Sequence, residues 1–136
     1  MEGATLARRY TTELVSLYNQ ALDAVEQRDI FDLGAAPVLT GYVPVKVTTG
    51  RIFMFGNATD HPLLGDTLIS TSDLVWLDHD AKIARTVSRF YQLEEKADFP
   101  KGSLVAAGNL WGRVLGDEEL QCMLRDNADR FRKLLN

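Results

Sequence analysis

Two arginines four residues apart, Arg85 and Arg89, lie in the segment Lys82–Leu93, KIARTVSRFYQL, which has no acidic residue until Glu94. In a single strand, one face would carry Ile83, Arg85, Val87, Arg89, Tyr91 and Leu93. The two guanidiniums would then sit about 13 Å apart at 3.3 Å per residue. Guanidinium groups hold phosphates bidentately, and aromatic rings stack on bases. This face therefore suits a small nucleotide with separated phosphates. Arg85 and Arg89 would pair the phosphates, and Tyr91 with Trp76 or Trp111 would stack the base. Arg51 and Arg113 would add positive charge. The structural alternatives are arginines snorkelling at a sheet margin, ion pairs with Asp or Glu, or a local register break that separates the two side chains.

Both histidines are flanked by acids, as Asp60-His61 and Asp78-His79-Asp80. A metal site needs three or four converging ligands, and Asp66 would add one to the first cluster. A hydrolase would use these groups. Turn chemistry is the favoured reading of both clusters, because Asp and Asn initiate turns and His tolerates loops. Cys122 stands beside Met123 in an apolar context with no histidine placed near it, which reads as a buried structural thiol rather than a nucleophile. No P-loop, dinucleotide fingerprint, nucleophile elbow or paired-histidine metalloprotease motif occurs. The expectation is a non-catalytic protein with no metal and no cofactor.

Three zones of different periodicity must position these residues. Residues 5–33 read as one long helix, with Leu6, Tyr10, Leu14, Leu17, Ala21 and Val25 at three- and four-residue spacing, Gly34 to cap it and Pro37 to end it. About 28 helical residues would extend roughly 42 Å, beyond the diameter of about 28–36 Å of a compact domain this size. Either the helix breaks near Arg28–Asp29 or part of it packs on a second subunit, which favours a homo-oligomer. Residues 38–93 read as a four-stranded antiparallel meander, because loops this short cannot carry parallel crossovers. In it TLISTSDLVWL forms one strand, Asp78–Ala81 a turn, and KIARTVSRFYQL one strand. Residues 103–135 read as two helices: SLVAAGNLWGRVL, weakened by Gly108 and Gly112, and a last helix that opens with Asp117, Glu118 and Glu119 and closes with Arg130, Arg132 and Lys133. The expected fold is α+β in a single domain, 1–136: a long N-terminal helix, a four-stranded antiparallel sheet and two C-terminal helices.

Composition bounds the function. The 136 residues are 46% hydrophobic and 25% charged, with a net charge of −4. That suits a globular domain and argues against a binder of long nucleic acids. One cysteine excludes an internal disulfide framework. No apolar run approaches a membrane span, and the N-terminus carries no signal-like stretch, so a cytoplasmic location is expected. The Arg8-Arg9 pair is offset by Glu13, Asp23, Glu26 and Asp29, which sets aside a lipid-facing helix.

The run from Gly50 to Leu93 carries Gly56, His61-Pro62, Gly65-Asp66, Ile69-Ser70-Thr71-Ser72, Val75, Arg85-Thr86, Ser88, Tyr91 and Leu93. This pattern resembles small phage and prophage β-sheet proteins. It is similar in size and sheet pattern to anti-defence sponge proteins, which sequester cyclic ADP-ribose-like or cyclic oligonucleotide signals. The resemblance covers about a third of the chain and transfers no ligand-binding residue. It implies sequestration of a small nucleotide signal. The alternatives are an inhibitor or adaptor that acts on a host protein, and a small hydrolase built on His61 or His79.

Overall fold

Alternating β-branched and aromatic residues from Val38 onward fold as strands, each turned at a polar or glycine-rich break. The computed structural model describes residues 11–61, 65–107 and 109–135, with the side chains of 60–67 outside that description. The Arg8-Arg9 pair and the side chains of Asp60, His61 and Asp66 therefore lie outside the description. The strands are β1 (Val38–Lys46), β2 (Ile52–His61), β3 (Gly65–Ser70), β4 (Leu74–Asp78), β5 (Ile83–Thr86), β6 (Phe90–Lys96), β7 (Leu104–Ala107) and β8 (Leu110–Val114). Among the described residues two α-helices flank them, α1 (Thr12–Glu26) and α2 (Asp117–Leu135).

Six strands follow the order β3-β2-β1-β6-β5-β4. They form two three-stranded antiparallel meanders joined where β1 and β6 run parallel. Laid flat, six strands would be about 24 Å across. Yet β3 and β4, at the two ends of that order, are joined only through Thr71, Ser72 and Asp73. From Ser70 to Leu74 the chain reaches at most about 14 Å. The sheet must therefore curl strongly, as an open barrel that brings the end of β3 to the start of β4 without pairing the two strands. Its interior agrees: one buried cluster takes Leu39, Ile52, Met54, Ile69, Leu74, Ala84 and Tyr91 from all six strands. Leu120 and Leu124 from the first half of α2 close it off. Arg51 pins the seam between β3 and β4, its guanidinium bonding both carboxylate oxygens of buried Asp73 (Nε to Oδ2 2.9 Å).

The expected four-stranded antiparallel sheet is thus corrected to eight strands with one parallel pair. No crossover helix is needed for that pair, because curling brings the sixth strand round to the first. TLISTSDLVWL divides into β3 and β4, and its middle spans the seam. KIARTVSRFYQL divides into the hairpin β5–β6. The Thr86 hydroxyl accepts the backbone N–H groups of Ser88 and Arg89, both at 3.3 Å, and Thr86 N–H donates to the Arg89 carbonyl at 2.9 Å. A local side chain–backbone turn therefore competes successfully with a continuous strand.

The two expected C-terminal helices reduce to one. SLVAAGNLWGRVL forms the hairpin β7–β8, which turns after Ala107 and folds over the outer face of β1 and β2. Val43, Val45, Phe55 and Val114 are buried beneath it, with Val105 and Leu110 packed against them. β8 also pairs with the end of β1, at Val45 and Lys46.

Among the described residues the N-terminal helix is short. It starts behind Thr11, whose hydroxyl accepts the Leu14 N–H, and it ends at Glu26. Turns of 3-10 helix follow at Arg28–Ile30 and Leu33–Ala35, so Gly34 is not the helix cap. The break falls where the charged run Glu26-Gln27-Arg28-Asp29 ends the apolar stripe, and helix length no longer supports a second subunit. α1 packs on α2 through stacked Tyr18 and Phe131, whose centroids are 3.9 Å apart, and through buried Asn19, which donates to the carbonyls of Val15 and Phe131 at 2.8 and 2.9 Å. No helix among the described residues is long and apolar enough to cross a membrane.

Candidate functional site

Cross-strand register sets the outer face of β4–β5–β6. Trp76 stands opposite Arg85, which stands opposite Phe90, and Ile83 stands opposite Gln92. The chain from Arg28 to Pro37 lies across this face. Gln92 fastens it, donating from its side chain to the carbonyls of Gly34 (3.1 Å) and Ala36 (2.8 Å) and from its backbone to Pro37 (2.8 Å). Leu33, Ala36 and Phe90 pack beneath, with Trp76 and Ile83.

Where this covering chain meets the β5–β6 turn there is an open cleft of about 260 Å³. Arg85, Ser88, Arg89 and Phe90 form one wall, and Phe31, Asp32, Leu33 and Pro37 the other. The Arg85 guanidinium lies over the Phe90 ring at 4.8 Å. Its Nε is buried and without a hydrogen-bond partner. Burial, and next the neighbouring charge of Arg89, lower the Arg85 pKa. Among the described residues no ion pair forms with Arg85 or Arg89, although Arg28, Arg51, Arg113 and Arg132 each find an acceptor. Two like charges at one cleft, one of them desolvated and lacking a bond, form an arrangement that an anion would complete.

The structure thus brings together Arg85 and Arg89, which an unbroken strand would have held about 13 Å apart. It separates the other expected ligand residues from them. Tyr91 points the opposite way from Phe90, into the barrel interior at 3% exposure, and has no face for a base. Trp76 is half-buried, with Arg28 over its ring at 5.1 Å. Arg51 is committed to Asp73. Trp111 and Arg113 lie on the β7–β8 hairpin, in a different cleft. Sequence reasoning missed Phe31, Asp32 and Ser88. The signal for Phe31 and Asp32 was the charged run Glu26-Gln27-Arg28-Asp29, which ends the apolar stripe and leaves the chain up to Pro37 free to fold back as a loop.

The His79 cluster behaves as a turn. Asp78 Oδ1 accepts the backbone N–H groups of Asp80 and Ala81 at 3.0 and 3.1 Å. His79 Nε2 approaches Asp117 at 3.5 Å, and Lys96 Nζ bonds the same carboxylate at 2.6 Å. No group of three metal-binding side chains occurs among the described residues. Cys122 is exposed rather than buried.

The Lys96 hydrogen bond holds the Asp117 carboxyl below its usual pKa, against the opposing effect of partial burial; the charges of Lys96 and His79 add to the lowering. A carboxyl depressed in the folded state contributes stability above its unfolded pKa and loses it as pH falls through the folded value. Stability should therefore fall from about pH 4 downward. Lys96→Met should flatten that acid limb and raise the Asp117 pKa, as read by denaturation series and carboxyl NMR titration. An Asp117 titration unchanged in Lys96→Met would refute the assignment.

Searches among curated proteins and among solved structures find no match. Residues 15–129 match the model of a family described as a family of unknown function, DUF6634. That stretch covers all eight strands and the arginine cleft, and the chain belongs to this family.

Proposed function

We propose that this chain binds a small phosphate-bearing molecule in the Arg85–Arg89 cleft and holds it without chemical turnover. The observation that carries the reading is the pair of guanidiniums without carboxylate partners among the described residues, one with a buried and unbonded Nε. Natural proteins seldom leave such groups unsatisfied unless a ligand completes them. Asp32 on the facing wall refines the ligand: a molecule carrying an anionic group and a hydrogen-bond donor would satisfy both walls. Phe31, 41% exposed and tilted against Phe90 with centroids 5.2 Å apart, offers a ring at the rim for a base. A small nucleotide fits these groups, and sequestration of such a signal in the cytoplasm is the biological role the reading suggests. The volume favours a mononucleotide-sized body over a large cyclic oligonucleotide.

The test is a thermal-shift and calorimetry panel of inorganic phosphate, pyrophosphate, nucleoside mono- and diphosphates and cyclic dinucleotides. At a ligand concentration about 100-fold above Kd, binding to the folded state contributes about 2.7 kcal/mol, a shift in Tm of several degrees. Ligand recovered unchanged after heat denaturation would agree with holding rather than turnover. A panel in which no anion moves Tm or gives heat would end the proposal.

A further inference from the structure

A second surface stands apart from the arginine cleft. The β7–β8 hairpin turns Val105, Leu110, Gly112 and Val114 down onto β1–β2, and alternation turns Leu104, Ala106, Trp111 and Arg113 outward. Leu104 is 71% exposed and Trp111 is 61% exposed. Large apolar side chains this open, side by side on one face, mark a contact surface more often than a solvated one. Beside them is a groove of about 440 Å³, lined by Trp111, Leu104, Lys46 and Arg113. Lys46, Lys101 and Arg113 all depress the pKa of Glu119 through their charges, after the hydrogen bond from Arg113 itself. The groove's lining includes two basic residues, Lys46 and Arg113, and no acidic one, in a chain of net charge −4. Glu119 is the acidic group bonded there, to Arg113 at 3.2 Å.

The hairpin's backbone supplies the remaining constraint. Val114 N–H bonds the Ser103 carbonyl at 2.8 Å, which fixes the phase of the β7–β8 ladder. Leu104 and Ala106 therefore direct their N–H and C=O groups away from β8. β7 pairs only with β8 among the described strands. An open strand edge is completed by another extended backbone. A second copy of this chain added through β7 would set two cationic grooves beside each other, which disfavours self-pairing.

We infer that the β7–β8 hairpin docks an extended acidic peptide segment of another protein, which lies along β7, seats an apolar side chain against Trp111 and Leu104, and directs carboxylates at Lys46 and Arg113. This inference is independent of the anion cleft, so either can fail alone. The extended backbone demanded by β7 favours a peptide over single-stranded nucleic acid, which would share the charge and the stacking ring.

An array of random decapeptides probed with the intact protein tests it, followed by fluorescence anisotropy on the enriched sequences and on a thymidine decanucleotide. Enrichment of peptides that alternate acidic and apolar residues is expected. Trp111→Ala should weaken their binding at least tenfold and Lys46→Ala several-fold, with Tm unchanged because both side chains lie at the surface. Arg85→Ala should leave this binding intact. Enrichment of basic or random sequences, no enrichment, binding indifferent to Trp111→Ala, or tighter binding of the decanucleotide than of any peptide would each overturn the inference.

Discussion

Replacing Arg85 by methionine is expected to weaken anion binding severely and, in the absence of ligand, to leave the protein as stable as its parent or more so. The two effects share one cause. Arg85 holds a charge that burial and Arg89 both disfavour, and its Nε has no partner. Methionine keeps an unbranched apolar stem over Phe90 and removes the unsatisfied group. A charge-assisted hydrogen bond is worth about 1.5–3 kcal/mol, so loss of Arg85 or of Arg89 should each weaken phosphate binding by about one to two orders of magnitude. Apo Tm should stay level or rise by roughly a degree or two, since a lost cation–π contact offsets part of the relief. Calorimetry against pyrophosphate and a melting curve on the same preparation read both quantities. A variant that melts well below the parent would show that Arg85 is a structural group.

The second large effect concerns packing. A Cβ added at Gly112 would lie 2.6 Å from both Cβ and Cγ2 of Val45. Because Val45 Cβ is fixed to the backbone of β1, no rotamer change relieves the clash. Gly112→Ala must instead lift the hairpin off the barrel, at a cost of about 2 kcal/mol or more. That corresponds to a Tm roughly 5–10 °C lower in a domain this size. Val45→Ala combined with Gly112→Ala should not restore the parent's Tm, because alanine removes Cγ2 but keeps the Cβ that lies 2.6 Å from the added methyl. If Gly112→Ala melts with its parent, the close approach of β8 to β1 is wrong.

The same glycine explains how the C-terminal region deceived the sequence reading. SLVAAGNLWGRVL spaces its apolar residues ambiguously between helix and strand, and its two glycines pass either as helix defects or as a turn and a close contact. Only the identity of the neighbour, Val45, decides between them, and that neighbour is 67 positions away by the numbering. β1 and β2 were legible because they alternate and are bounded by turn formers, and the charge gradient of α2 was legible from its ends. The parallel pairing of β1 with β6 was not, since it follows from how far the sheet curls and from no local pattern. At the cleft, both arginines were legible as charges without nearby acids. Their partners were not, because Tyr91 and Phe90 differ only in which side of β6 they occupy, and the turn at Thr86–Arg89 sets that side.

The line where β1 meets β6 has a further consequence, for the order in which the molecule assembles. Each three-stranded meander closes through local turns, whereas Thr40 and Glu94, bonded across the line, are 54 positions apart. Joining ends that far apart costs about 3.5 kcal/mol in loop-closure entropy, so this line becomes favourable only after the two meanders it joins. The arginine cleft is built across the same line, with residues 31–37 entering from the β1 side and Arg85, Arg89 and Phe90 from the β6 side. A ligand held between its walls is therefore a clasp on the least local joint of the barrel.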